Sequence, residues 1–346
     1  MRYFHVIKMK NLIYFLFFFS LSYAQDLKIA FGSCGHQDQT LSIFQNIKEQ
    51  QPDYFIFLGD NIYADTRDTN KMKAAYAQLR NNVNFQKLDS STKILATWDD
   101  HDYGEDDAGK YYPMKAESKK IFLDFFKEPK NSLRYKHEGI YTSYIIKKRR
   151  KHIQLILLDT RTFRSNLTRY QKGMNKDSIF DYDLLYVPNN KVDSTILGDE
   201  QWGWLENELR QKADIRIICS STQFGITYNG YESWANFPKE QEKMLALIRK
   251  TKANGAFFIS GDVHYAELSK WENQFTYPIY DLTASGLTQS WHFATPNKNR
   301  IAGPVMENHF GLLEFNLKRK KVSLQIIDRD NQIRINQILD LKELKQ

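Results

Sequence analysis

Side chains able to hold a metal or move a proton recur in this sequence directly after short apolar runs. Cys34 follows the run that ends at Phe31. Asp60 and Tyr63 follow Leu58, and Asp99, Asp100, His101 and Asp102 follow Thr97. Asp159 and Arg161 follow Leu158, and Asp262 and His264 follow Ile259. Acids crowded together repel one another unless a cation sits between them. A mixture of carboxylate, imidazole and phenol favours a hard or borderline metal ion. The sharpest element is the group from Asp99 to Asp102, because three acids and a histidine beside a buried strand are costly without a partner. Asp262 and His264, two residues apart, share one face of an extended segment. Others are weaker alone. Gly59-Asp60 is a common turn. Cys34 reads as a thiolate ligand, a half-cystine paired with Cys219, or a small buried hydrophobe. Arg161 could clamp an anion through two donors or form a structural salt bridge.

These residues need elements to carry them. Apolar runs at 27–31, 54–58, 93–97, 153–158, 215–219 and 256–259 read as strands. Helical periodicity occupies 40–50, 71–81, 116–126, 198–212 and 239–253. Segment 170–195 is polar and reads as a long loop. From 268 to 341 the pattern mostly alternates, and 312–317 and 322–327 flank a basic tip like a hairpin. The text is α/β with an antiparallel C-terminal part. In open α/β sheets, sites form where the carboxyl ends of strands emerge, and each reactive group above sits at such an end.

The 346 residues are 42% apolar and 26% charged, which excludes wholesale disorder and fibrous architectures. Two cysteines exclude a disulfide-rich scaffold and a four-cysteine zinc module. Residues 1–24 read as a Sec-type signal peptide: a basic start, an apolar run too short to span a bilayer, then Ser22 and Ala24 at cleavage spacing. The expected mature chain, 25–346, is one exported domain without a transmembrane anchor, periplasmic or extracellular. Arg2, Lys8 and Lys10 contribute three of the eight net positive charges. The remainder is modest, and basic runs at 147–151 and 318–321 read as solvated loop tips. No dedicated nucleic-acid partner is expected.

In order, these segments resemble the metallophosphoesterases of the calcineurin-like superfamily, in particular the PhoD-like alkaline phosphatase/phosphodiesterase family. The carrying motifs are Phe31-Gly-Ser-Cys34, Phe57-Leu-Gly-Asp-Asn-Ile-Tyr63, Thr97-Trp-Asp-Asp-His-Asp-Tyr-Gly104, Leu158-Asp-Thr-Arg161, Leu197-Gly-Asp-Glu-Gln-Trp202, Ser260-Gly-Asp-Val-His-Tyr-Ala-Glu267 and Ala284-Ser-Gly-Leu287. The resemblance implies a four-layer αββα sandwich of two mixed β-sheets flanked by helices. It implies two metal ions, Fe3+ plus Ca2+, with Zn2+, Mn2+ or Mg2+ as alternatives. Cys34, Asp60, Tyr63, Asp100, Asp262 and His264 match metal ligands, with Asp60 as the bridge. His101 matches the catalytic histidine, and Arg161 a family arginine that we assign to phosphate contact. Three departures stand out. The family's preceding β-sandwich domain has no counterpart here, Asp102 stands where a glutamate is usual, and Gln223 stands where the wider superfamily has a further histidine ligand.

The expected activity is hydrolysis of phosphomonoesters or diesters, with phosphoester small molecules or phospholipids as substrates. One alternative is a phospholipase-type phosphodiesterase, with the aromatic loop 227–237 as an apolar or sugar-binding wall. Another is a non-catalytic exported protein with a calcium site around residues 98–102. Ligands drawn from several strand ends, and His101 among the acids, favour the enzyme.

Overall fold

The computed structural model describes residues 26–174 and 176–346; the expected signal peptide lies outside them. The first half runs β1 (Leu27–Gly32), α1 (Ile43–Glu49), β2 (Tyr54–Leu58), α2 (Thr69–Asn81), α3 (Val83–Asp89), β3 (Lys93–Thr97), α4 (Asp100–Tyr103) and α5 (Lys115–Phe125). The middle adds β4 (Thr142–Lys148), β5 (Lys151–Leu157), β6 (Thr168–Arg169), β7 (Tyr186–Val187), α6 (Gly198–Arg210), β8 (Ile215–Cys219), α7 (Pro238–Thr251), β9 (Ala256–Ser260), β10 (Ala266–Trp271) and β11 (Ile279–Ala284). The chain closes with β12 (Arg300–Val305), β13 (His309–Asn316), β14 (Lys321–Asp328) and β15 (Ile333–Asp340).

Two mixed sheets result. The first has the order β15-β14-β13-β1-β2-β3, and the second β12-β10-β11-β9-β8-β5-β4. Strands β1, β2 and β3 are parallel, as are β5, β8, β9 and β11. Alternation along the strands explains the stacking. Ile29, Phe31, Ile56, Leu58, Leu313 and Phe315 face the second sheet in a shared core. Their sequence neighbours Ala30, Phe55, Phe57 and Leu312 face outward, onto Phe44 of α1, Leu79 of α2, Phe85 of α3 and Phe122 of α5. On the far side, Gln154 of β5 and Arg216 of β8 reach backbone carbonyls at the end of α6. This side of the second sheet is therefore covered by helix. The layers run helix, sheet, sheet, helix, as the family resemblance implied. Each fully buried Leu, Ile or Phe contributes about 1.5–3 kcal/mol of transfer free energy, so the core between the sheets is the main source of stability.

Local chemistry sets the element ends. Asp68 accepts from Asn70 N to start α2, and Asn82 accepts from Asn84 N and Phe85 N to start α3. Pro238 opens α7, and Lys252 closes it in the left-handed region. Within the segment expected as a loop, the two-residue β7 pairs with β6, which lies just before that segment. Strand β4 and helix α3 were not apparent from apolar runs: β4 is an edge strand without a single fully buried residue, and α3 has only seven residues. The basic tips are the β4–β5 and β13–β14 turns, as read. No helix of the described residues is long and apolar enough to cross a membrane.

Candidate active site

The carboxyl ends of the parallel strands in both sheets meet along one edge, and backbone bonds tie them together. Ser33 N after β1 donates to Ala284 O at the end of β11 (3.2 Å), and Gly35 N donates to Asp60 O (3.1 Å). The Ser33 hydroxyl accepts from Asp262 N (3.3 Å), and the Ser285 hydroxyl accepts from His264 N (3.0 Å). Tight turns immediately after these strands aim the side chains. Cys34, Asp60, Asp262 and His264 all have positive φ, at 60°, 48°, 79° and 58°. Non-glycine residues held there cost on the order of 1–3 kcal/mol each. Four of six expected ligands share this strain at one place, which points to function. Gly59 has φ 105°, and a Cβ there would lie 2.4 Å from Asp99 Cβ. Only glycine lets β2 end against the turn that carries Asp99.

The side chains converge. Cys34 Sγ lies 3.2 Å from Asp60 Oδ2 and 3.2 Å from Ser285 Oγ. Tyr63 OH lies 3.5 Å from Asp60 Oδ2 and 3.2 Å from His264 Nε2. Ligand atoms of Cys34, Asp60 and His264 all fall within 4.8 Å of one another, as do those of Asp60, Asp100 and His101, and those of Asp99, Asp100 and Asp262. Asp60 is shared by the first two sets, and Asp100 by the last two. Asp60 Oδ1 and Asp99 Oδ2 are buried without a hydrogen-bond partner. A buried carboxylate oxygen left bare among other acids fits a cation. The donor set of thiol, phenol, imidazole and several carboxylates likewise fits a metal pair.

Burial and mutual repulsion dominate the protonation of this cluster. Burial, then the neighbouring Cys34 and Asp100, push Asp60 well above the carboxylate range. Burial pushes the Cys34 thiol up to about 11, and Tyr63 also rises through burial. Burial lowers His264 to about 4, keeping it neutral and ready to donate a lone pair. Burial also opposes the charged form of His101, but its hydrogen bond to Asp65 and the charges of Asp60 and Asp100 prevail and raise it to about 10. His101 Nδ1 meets Asp65 Oδ1 at 2.8 Å. Its ring packs on Tyr63, with centroids 4.3 Å apart.

Arg161 has no exposed surface. Its Nε donates to Asp99 Oδ1 (2.5 Å) and its Nη1 to Glu232 Oε2 (2.7 Å), while Nη2 lies 3.5 Å from Asp100 Oδ1. This is the salt-bridge alternative for an arginine at a strand end. Nη2 itself is buried without a hydrogen-bond partner, so one donor of the guanidinium stays unused beside the cluster. Burial raises Asp99 to about 6 against the pull of Arg161. For Asp100, burial is outweighed by Arg161, His101 and the Asp107 amide, and the carboxyl falls to about 2.

Other expectations resolve as follows. Cys34 and Cys219 are both free and buried, so the disulfide alternative is not adopted. Asp102 turns away from the cluster and accepts from Asp60 N (3.1 Å), Asp99 N (2.8 Å), Asn61 Nδ2 (2.5 Å) and Tyr76 OH (3.3 Å). It shapes the loop rather than offering a ligand. Gln223 donates to Glu267 Oε1 and Thr283 Oγ1, both at 3.0 Å, which ties it into a separate polar network. In the aromatic loop, Trp234 and Phe237 belong to the core, while Tyr228 and Tyr231 are only half-buried. The sequence reading missed four groups as site members: Asp99, Asp65, Ser285 and Glu232. Asp99 had a signal, since it stands inside the acidic group. Ser285 stands within the Ala284-Ser-Gly-Leu287 motif without a role assigned to it, whereas Asp65 and Glu232 are single polar residues in loops that only their placement reveals.

The chain matches the PhoD-like phosphatase family over residues 29–300. It is 22% identical over 279 residues to alkaline phosphatase D of Bacillus subtilis (strain 168), an alignment covering 69% of this chain and 46% of that protein. The chain thus spans about half the length of that curated relative. The solved structure of PhoD superposes with a TM-score of 0.69 at 15% identity, covering 92% of this chain and 69% of that one. A dimetal phosphatase from Danio rerio superposes with a TM-score of 0.53 at 12% identity, covering 92% and 100%. GAP50, the anchor in the inner membrane complex of Plasmodium, gives 0.58 at 12% identity, covering 93% and 90%. These likenesses establish the shared fold. With the family match running over most of the chain and the strand-end motifs falling inside it, the protein belongs to the PhoD-like phosphatase family.

Proposed function

We propose that this chain hydrolyses phosphoesters using a metal pair held between the ends of its two sheets. The observation that carries the reading is Asp60, one buried carboxylate common to two neighbouring ligand sets, with one oxygen left bare. A bound metal pair supplies Lewis acidity toward phosphoryl oxygens and acidifies water. Cys34, Tyr63 and His264 would hold one ion, and Asp99, Asp100 and Asp262 the other, with Asp60 between. Thiolate and phenolate donors favour a strongly Lewis-acidic ion such as Fe3+. A carboxylate set suits a hard ion such as Ca2+, with Mg2+, Mn2+ or Zn2+ as alternatives.

The chain's own groups do the rest. Ser33 and Ser285 lie against the Cys34 sulfur and fix its position. Asp65 orients His101 and favours its protonated form, so His101 can deliver a proton to the leaving alkoxide. Arg161 balances the charge of Asp99 and Asp100 and fixes their direction, and its unpartnered Nη2 is the donor that would meet a phosphate oxygen. Substrates are phosphomonoesters or diesters in this reading. Export through a Sec-type signal at residues 1–24 belongs to the same proposal, and N-terminal sequencing of the mature protein tests it.

The functional test uses the purified mature chain without chelator. It measures metal content, and turnover of a chromogenic phosphomonoester beside the matching diester, before and after chelation. About two metals per chain with chelation-sensitive turnover is the expected result. A folded chain with neither metal nor turnover would overturn the reading.

A further inference from the structure

A diester keeps one substituent on phosphorus after the other departs, and that retained arm needs a resting place. Beside His264 stands a wall of aromatic rings contributed by three separate loops. The Trp291 ring meets the His264 ring at 5.7 Å, and Trp291 N donates to His264 O at 3.0 Å. Phe293 stacks on Trp291 with centroids 5.3 Å apart and planes 14° apart. Tyr231 packs on Trp291 at 5.1 Å, and Tyr182 reaches both Tyr231 (5.8 Å) and Phe293 (5.9 Å). Phe293 is 42% exposed, and Trp291 is half-buried. The near-parallel, stacked pair therefore leaves ring surface open to solvent beside a buried, charged cluster. Aromatic residues with exposed surface cost hydration without adding to the core, and one of this pair, Trp291, stands against a ligand histidine.

We propose that this wall is a subsite for the retained arm of a phosphodiester, and that it selects arms carrying a planar ring. The inference rests on the phosphoesterase reading above. Open aromatic faces bind flat π systems by stacking, worth about 1–3 kcal/mol per ring. An alkyl chain is better served by a concave aliphatic slot. The choice of the retained arm over the leaving arm follows from the position of the proton donor. His101 packs on the ring of Tyr63 beside Asp65, whereas the Tyr63 hydroxyl meets His264, the residue that Trp291 of the wall flanks. A leaving oxygen served by His101 therefore directs the other arm toward His264 and Trp291.

The test compares bis(p-nitrophenyl) phosphate with methyl p-nitrophenyl phosphate on the metal-loaded mature chain. Both release p-nitrophenolate, so only the retained arm differs. In Trp291→Ala and in Phe293→Ala, kcat/KM for the aryl-armed diester should fall about tenfold, within the range for one lost stacking contact. The methyl-armed diester should change less than about twofold. Phe293 is exposed enough that its truncation leaves the core intact, which keeps the test open if Trp291→Ala folds poorly. An equal fall for both diesters would overturn the subsite, since it would mean a role in folding or in holding the leaving ring. An unchanged preference would overturn it as well. If the wild-type chain turned over neither diester nor p-nitrophenyl phosphate, the esterase reading itself would fail, and the subsite with it.

Discussion

At the scale of single residues, the site divides into groups that would touch metal and groups that hold them. Asp60 belongs to two ligand sets, so Asp60→Asn should lose bound metal and turnover together, by metal analysis and a chromogenic assay on the same sample. His101 lies within 4.8 Å of both Asp60 and Asp100, yet its bond to Asp65 favours the cationic form, which cannot ligate. His101→Ala should therefore keep the metal content and lower kcat by about 10²–10⁴-fold, the usual weight of a positioned acid. Loss of metal in that variant would assign His101 as a ligand instead. Asp65 acts through His101, to which it is hydrogen-bonded.

At the scale of elements, glycines and turns decide where the ligands point. Gly59 ends β2 with a backbone that other residues adopt only under strain, and its α-hydrogen faces Asp99 Cβ. Gly59→Ala should destabilise the chain by about 1–3 kcal/mol and lower metal affinity, read as a reduced Tm and a reduced metal stoichiometry at fixed metal concentration. Strand β13 supplies a second support. His309 is fully buried, its Nδ1–H donates to Glu307 O (2.7 Å), and its Nε2 accepts from Ser285 N (3.1 Å). Its ring lies where a Cβ on Gly286 would be. Burial holds His309 neutral and lowers its pKa to about 4. The unfolded chain binds this proton below about 6.5, and the folded chain does not until about pH 4. Stability from this group is therefore present above about pH 6.5 and is lost as pH falls toward 4. The full loss is about 3 kcal/mol at ~1.4 kcal/mol per unit. Chemical denaturation across this window should show the slope in the wild type and a flatter one in His309→Gln.

At the scale of the whole molecule, two sheets share one core and place the strand-end acids Asp60, Asp99, Asp100 and Asp262 at one edge. The core between β1, β2, β13 and the second sheet is apolar and buried, so the edge is held in place while its charges oppose one another. A cation that binds only the folded edge stabilises it by mass action. Chelation should therefore lower the Tm of the mature chain, and readdition of metal should restore it. A Tm insensitive to chelator, with metal demonstrably removed, would mean that the acids are balanced by protons and Arg161 alone.

Much of this architecture was legible in the residues. Largely apolar runs marked β1, β2, β3, β5, β8 and β9, because strands covered on both faces are mostly apolar. The reactive groups were found by their position just after those runs. Strand β4, α3 and the β6–β7 pairing were not, since an exposed edge strand and very short elements leave almost no burial signature. The sequence by itself determined which side chains stand at strand ends, and the family those motifs belong to. Only the tertiary structure decided which of them converge. It turned Asp102 into a loop brace, enclosed Arg161 among Asp99, Asp100 and Glu232, and brought Asp65, Ser285 and Trp291 to the site from distant loops. The physical reason is that burial follows from local pattern, whereas the partner of a buried charge is chosen by whichever loop the packed sheets bring within a few ångströms.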